Sequence, residues 1–187
     1  MYTGAHGLAN SLDVVLDAAR LVQCENWEEK VVFRLVGAGP GKARVQRRAR
    51  EEAISAVQFE APVAKSKVYE VLQQADATVI VSKQTPLYRW GVSPNKLFDY
   101  MASARPVLFG IDTPYDPVTE ARAGLAVRPD DAHAMAVAIK ELCAMSAAQR
   151  WELGLRGRCY VEEHHSFTQL ARKLEQVLHR VITEANP

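Results

Sequence analysis

Several marks of specialised function are scarce in this chain. Its 187 residues contain only three cysteines, Cys24, Cys143 and Cys159, far apart and without C-x-x-C spacing. That excludes a disulfide frame and a cysteine zinc site, and fits buried or idle thiols in a reducing compartment. Neither sign of charge is in excess, since 23 basic and 22 acidic residues leave a net charge of +1. No bulk field therefore draws nucleic acid or acidic lipid, and neither is expected as a partner. No run approaches about 18 apolar residues and the first residues lack a signal-peptide pattern, so no segment is expected to span a membrane and the chain is expected to be soluble and cytoplasmic. His133, His164 and His165 have no cysteine or acidic pair at ligand spacing, so no metal site is assigned. No Ser/His/Asp or Cys/His arrangement is recognisable either.

What is present is alternation. At this length one domain with a sizeable core is the default, spanning residues 1–187. Short β-rich runs predict strands at 31–36, 56–59, 77–81, 106–109 and 124–127. Amphipathic stretches predict helices at 11–23, 42–53, 66–74, 94–104, 131–145, 147–154 and 166–184, with Ser166 placed to cap the last. This order predicts an α/β fold, a doubly wound Rossmann-like parallel sheet of about six strands with helices on both faces. The opening is unusual. Met1, Tyr2 and Thr3 barely make a strand, yet Gly4, Ala5, His6 and Gly7 read as a strand-to-helix phosphate loop.

Residues 93–107, S-P-N-K-L-F-D-Y-M-A-S-A-R-P-V, carry the most information. Ser93 suits an N-cap, Pro94 the first helical position, and Val92 with Leu97 a hydrophobic staple. At 100° per residue Asn95, Lys96, Asp99 and Ser103 share one face, while Leu97, Phe98 and Met101 share the other. A helix start with free N–H groups and Lys96 alongside welcomes an anion. Asp99, one turn deeper, is placed to accept from two vicinal hydroxyls. By itself the helix fits a solvated amphipathic surface equally well.

This segment resembles the nucleotide-sugar segment of retaining GT-B glycosyltransferases of group 1 (family 4), above all the branch with S-P-x-K-L-[FY]-E-Y-M-A-x-G-[KR]-P-V. The resemblance implies that Ser93, Asn95, Lys96 and Leu97 cradle the donor diphosphate and that Asp99 binds the ribose hydroxyls. Three positions depart from the pattern. Asp99 replaces the usual Glu, Ala104 replaces Gly, and Gly91 stands where much of the family has a sugar-contacting Glu, whose role is therefore not carried over. The resemblance covers nearly all 187 residues but only the C-terminal half of a GT-B enzyme. It implies an excised or truncated domain whose N-terminal acceptor domain is missing, with the segment 165–187 crossing back towards that domain.

Other segments follow the same family in order. Gly4, His6 and Gly7 match its first phosphate loop, although many members place Arg and Lys where this chain has Ala5, His6 and Asn10. Phosphate binding there would rest on backbone N–H groups with His6 as an auxiliary donor, against the alternative of a structural turn. Gly37 and Gly39, in G-A-G-P-G, resemble the V-G-x-G-P loop that lines the donor cleft; the spacing is not the G-x-G-x-x-G of dinucleotide sites. The following helix, with Lys42, Arg44, Arg47, Arg48 and Arg50, reads as a solvated basic face without the interleaved aromatics of a nucleic-acid surface. Phe59, Glu60, Ala61 and Pro62 match the turn whose backbone reads the nucleobase, with the Phe59 side chain itself a core residue. The long loop through Lys83, Arg89, Trp90 and Gly91 follows a strand, where open α/β sheets carry ligand chemistry. Lys83 and Arg89 are placed for the diphosphate or acceptor. Trp90 suits either a sugar or the missing domain.

The function implied is the donor-binding domain of a transferase that moves a sugar from a nucleotide diphosphate sugar, UDP-type, to a cell-surface polysaccharide or lipid-linked acceptor. Lys96 and the helix start are the catalytic candidates, because charge develops on the departing diphosphate. The family implies retention of configuration and no obligatory metal or cofactor, with peripheral association of the full enzyme at the inner membrane face. A sugar-nucleotide epimerase of the same fold and a non-catalytic nucleotide-binding module stay open. A nicotinamide dehydrogenase fits worst, lacking both the glycine spacing and an acid about 20 residues on.

Overall fold

A computed structural model describes residues 1–25 and 31–185. The short β-rich runs form β1 (Tyr2–Thr3), β2 (Phe33–Val36), β3 (Val57–Glu60), β4 (Thr78–Val81), β5 (Val107–Gly110) and β6 (Gly124–Ala126). Every ladder is parallel, with Tyr2 opposite Leu35, Phe33 opposite Val57, Thr78 opposite Val107 and Val107 opposite Gly124. The strands make two three-stranded ladders, β1-β2-β3 and β4-β5-β6. They meet where Val79 N donates to Met1 O (2.9 Å) and the Met1 amine donates to Ala77 O (2.7 Å). Across that junction the order is β3-β2-β1-β4-β5-β6, and the winding reverses between β1 and β4. The sheet divides there because β1 is two residues long, too short for a continuous ladder. Ligands of open α/β sheets bind outside the C-terminal strand ends at such a reversal.

The pleat sends alternate residues to two cores. Val79, Val81 and Leu108 pack with α1 (Leu12–Cys24), α2 (Lys42–Glu51) and α6 (Ala132–Ala144). Ile80, Val107 and Phe109 pack with α3 (Val68–Leu72), α4 (Asn95–Ala102), α5 (Pro117–Glu120) and α7 (Ala147–His164). Helices thus cover both faces, as the alternating pattern requires.

Three local expectations change. The helix expected at 66–74 is a 3₁₀ turn, Lys65–Lys67, followed by α3. The helix expected to stop at Gly154 runs on to His164. Gly154 is a contact rather than a stop, since a Cβ there would overlap the Ala104 carbonyl. The basic face of α2 is not simply solvated: Arg44 and Arg48 donate to Asp13, and Arg48 also to Asp17 and Glu52, which ties α2 to α1.

After α7 the chain turns at His165 and Ser166 into α8 (Phe167–Ala185), where Gln169 N donates to Ser166 Oγ (3.4 Å). Leu174, Val177, Val181 and Ile182 of α8 are exposed. Asn186 and Pro187 lie outside the described residues. All three cysteines are exposed, so burial does not account for them. Among the described residues no helix is long and apolar enough to cross a membrane, and no three acidic, His or Cys side chains are grouped for a metal.

Candidate functional site

Two glycine loops meet backbone to backbone at the C-terminal ends of β1 and β2. His6 N donates to Ala38 O, Gly41 N to His6 O (both 2.8 Å) and Gly4 N to Val36 O (2.9 Å). Gly37 has φ 146° and a Cβ there would overlap the Gly4 carbonyl; at Gly39, φ 152°, it would lie 2.8 Å from His6 N. Side chains are excluded by both conformation and space. Gly37 is buried in this contact, so its role is loop packing and not a direct lining of the cleft. Gly39 is exposed, and Gly4 and Gly7 lie on the facing loop.

His6 is 1% exposed, and neither ring nitrogen has a hydrogen-bond partner. Burial and the charges of Lys42 and Lys96 push its pKa down, opposed by the nearby Val36 carbonyl. Buried polar atoms are ordinarily paired, so an unpaired imidazole within the field of Lys42 and Lys96 suits an arriving anion or its water. Lys42 is drawn inward, donating to the carbonyls of Gly37 (2.6 Å) and Glu60.

Lys96 is the second cation. Its Nζ donates to Tyr2 Oη (2.7 Å) and Asn10 Oδ1 (3.4 Å) and lies 4.2 Å from the centre of the Tyr2 ring. Burial lowers its pKa to about 8. Tyr2 Oη in turn donates to Ala5 O (2.6 Å), and Asn10 Nδ2 donates to the same oxygen (2.9 Å). Lys96 therefore bridges α4 and the Gly4–Gly7 turn. Tyr100 locks the same junction from beneath: it accepts from Thr3 N (2.7 Å) and donates to Thr3 O (2.9 Å). Tyr2, Asn10 and Tyr100 were not singled out from sequence, because these links join residues 86 to 97 positions apart, or lie inside an irregular turn.

At α4 the cap differs from expectation. Pro94, extended at φ −74° and ψ 115°, is the N-cap, and Ser93 stands outside the helix, exposed. The Pro94 carbonyl already accepts from Leu97 N (2.9 Å), so Leu97 offers no free N–H and its side chain is core. The amides left at this helix start are those of Asn95 and Lys96. Asn95 and Asp99 are exposed on one face, as the spacing predicts. Ser103 leaves that face; it is fully buried and its hydroxyl donates to Tyr100 O (2.6 Å).

The remaining candidates form the rim. Phe59 is half-buried against the core, and Ala61 and Pro62 are exposed beyond it. The Glu60 carboxylate is held by Arg34 (2.5 and 2.9 Å), and its carbonyl accepts from Gly37 N and Lys42, so Glu60 is structural. Lys83 is exposed while its N–H donates to Ala9 O (3.0 Å). Trp90 is 78% exposed under the Arg89 guanidinium, 4.9 Å from the ring centre, and Gly91 has φ 99° in open space. The face is thus open, with cations and free amides at its floor and a carboxylate one helical turn away. A cavity of about 510 Å³ exists at the other end of the strands, lined by Met1, Phe33, Ala77, Leu142 and Arg150. It contains none of the candidate residues, and strand N-termini are not where this sheet class binds ligands.

Parallel strands whose winding reverses between β1 and β4, with helices on both faces, make this an open α/β domain, the class that binds ligands at such a reversal. A family model for glycosyl transferases group 1 matches residues 1–145, and the chain belongs to that family. Among solved structures it is similar to sucrose-phosphate synthase (tll1590) from Thermosynechococcus elongatus, with TM-score 0.81 and 20% identity over 98% of this chain and 45% of that one. It is also similar to a point mutant of S. aureus TarM in complex with fondaparinux, alpha-GlcNAc-glycerol and UDP, with TM-score 0.73 and 18% identity over 100% of this chain and 35% of that one. A third is Anabaena Alr3699/HepE in complex with UDP, with TM-score 0.75 and 13% identity over 96% of this chain and 48% of that one. No curated protein matches. The chain spans less than half of each of these structures, and its fold is a Rossmann-like half of GT-B architecture.

Proposed function

We propose that this chain is the sugar-donor half of a nucleotide-sugar glycosyltransferase. In this reading a UDP-type nucleotide lies across the C-terminal strand ends. Its diphosphate sits between the Gly4–Gly7 turn and the Asn95 and Lys96 amides, its ribose on Asp99, and its base on the backbone at Ala61 and Pro62. The observation that carries the proposal is the convergence of Lys96, the unpaired buried His6 and the α4 N-terminus at one end of the switch point, with Asp99 one turn deeper. Family membership and the UDP in related structures support the choice of nucleotide.

Lys96 provides the test. Its burial-depressed pKa of about 8 means the free protein loses this charge as pH rises past 8. UDP binding above that point must take up a proton, so affinity falls by up to about tenfold per pH unit. The UDP phosphates are already ionised there, with a second pKa of about 6 for such groups. Calorimetry from pH 7 to 9 is expected to show one-to-one binding with this loss, and Lys96→Ala is expected to flatten the profile. A flat profile in the parent protein removes Lys96 from the site. The effect on folding has the same origin: the depressed value makes the Lys96 contribution to stability rise between about pH 8 and the ordinary lysine value of 10.5.

Transfer needs an acceptor oriented against the sugar by a facing surface, which the remaining length of a GT-B enzyme supplies. In the same proposal the chain acts as a C-terminal domain, α8 reaching towards that surface. The enzyme is cytoplasmic, uses no obligatory metal and serves a cell-surface polysaccharide or lipid-linked acceptor. Assayed in EDTA, the chain alone is expected to transfer no sugar, and the chain joined to its acceptor half to transfer with retained anomeric configuration. Robust transfer by these 187 residues alone overturns the half-enzyme reading, and nucleotide binding without transfer in the joined protein favours a non-catalytic module.

A further inference from the structure

The loops that follow β1, β4 and β6 are pinned together by one carboxylate. Ser11 Oγ donates to Asp130 Oδ1, and Gln84 N donates to Asp130 Oδ2 (3.1 Å). Both side chains stand on left-handed backbone, Ser11 at φ 43° and Asp130 at φ 55°, where non-glycine residues are sparse. Ser11 is also the N-cap of α1, yet its hydroxyl makes no capping bond. Serine at that position normally caps its own helix, so this one is turned from its local partner to a residue 119 positions away. Next to Ser11 is Asn10, which accepts from Lys96 and donates to Ala5 O; next to Gln84 is Lys83, whose N–H holds Ala9 O.

We propose that Asp130 is a positioning residue for the diphosphate end of the cleft: it fixes the turn at 7–10 through Ser11 and Gln84, and through Asn10 it supports the position that Tyr2 gives Lys96. The proposal rests on the sugar-donor reading above. Asp130 itself touches no reacting atom. It acts because the turn is held at Ser11 by the carboxylate and at Ala9 by the Lys83 N–H, next to the Gln84 that the same carboxylate accepts from. That keeps Asn10 facing Lys96 before the nucleotide arrives, and preorganised contacts bind more tightly than ones ordered on arrival.

Asp130→Gly separates positioning from strain, since glycine accepts φ 55° freely while removing the carboxylate. Asp130→Asn keeps one carbonyl oxygen, enough for either the Ser11 hydroxyl or the Gln84 N–H, and turns an amide NH2 towards the other donor. The expected results are a folded Asp130→Gly that binds UDP about tenfold more weakly, and an Asp130→Asn that falls between Asp130→Gly and the parent. Amide exchange at Lys83, whose N–H is held by Ala9, rises most with the first variant and less with the second. A folded Asp130→Gly that binds UDP as tightly as the parent overturns the proposal. If Asp130→Gly does not fold, Ser11→Gly removes the other side of the same bond and carries the same expectation. If the parent binds no UDP, the donor reading fails and NMR titration of Lys96 decides the clamp. A curve moved towards ordinary lysine in Asp130→Gly supports it, and an unmoved curve overturns it.

Discussion

Replacing Asp99 with alanine is expected to leave the protein folded and to weaken UDP by about 1–3 kcal/mol, roughly 5- to 150-fold, the range for losing charged hydrogen bonds. Asp99 is exposed on α4 and belongs to neither core, so the substitution opens no cavity. It sits one turn beyond the Asn95 amide, the distance that separates a diphosphate from the ribose it carries. Asp99→Glu restores the longer acid of the family pattern and is expected to bind within a few-fold of the parent. Calorimetry of the three proteins at pH 7 checks this. If Asp99→Ala is folded and binds as the parent does, the ribose lies elsewhere.

Gly37→Ala is expected to destabilise the fold by about 3 kcal/mol or more, combining a side chain at positive φ with overpacking against backbone. The atom a Cβ would meet is the Gly4 carbonyl. That carbonyl has little room to retreat, because Gly4 N is bonded to Val36 O (2.9 Å) and Gly37 N to Glu60 O (3.3 Å). Small domains hold only about 5–15 kcal/mol in total, so the denaturant midpoint should fall visibly. The Gly4–Gly7 turn shares the contact, so nucleotide binding should fall with it. A midpoint equal to the parent's would show that the two loops do not pack this closely.

Local pattern carried the architecture. Short β-rich runs located each of the strands β2 to β6 to within two residues at either end, and α4 shows the apolar face of Leu97 and Met101 that its spacing predicts. Its polar face was legible for Asn95 and Asp99, since solvent-facing positions follow helical period alone. Ala104 was legible in a different sense. The family pattern has Gly there, and the residue indeed adopts φ 54° at the end of α4.

What escaped sequence reading depends on partners far along the chain. Gly154 looks like a helix stop and is instead the place where α7 touches the Ala104 carbonyl. Ser103 has the right angle for the polar face, but the helix ends there and its hydroxyl turns back to Tyr100 O. Lys96 reads as a free cation, yet Tyr2, 94 residues away, takes its ammonium group, and burial there lowers its proton affinity. No spacing rule couples Ser11 to Asp130 or Thr3 to Tyr100, which become neighbours only when β1 lies between β2 and β4.

The most direct test of the nucleotide site is to titrate UDP into the ¹⁵N-labelled protein and follow every backbone amide. Saturable shifts are expected at Gly39, Ala61, Asn95, Lys96 and Asp99, with Gly7 and Asn10 moving alongside. Shifts confined to Phe33, Arg34, Ala77 and Leu142, around the cavity at the opposite strand ends, or no saturable shifts at all, would contradict a sugar-donor site at the switch point.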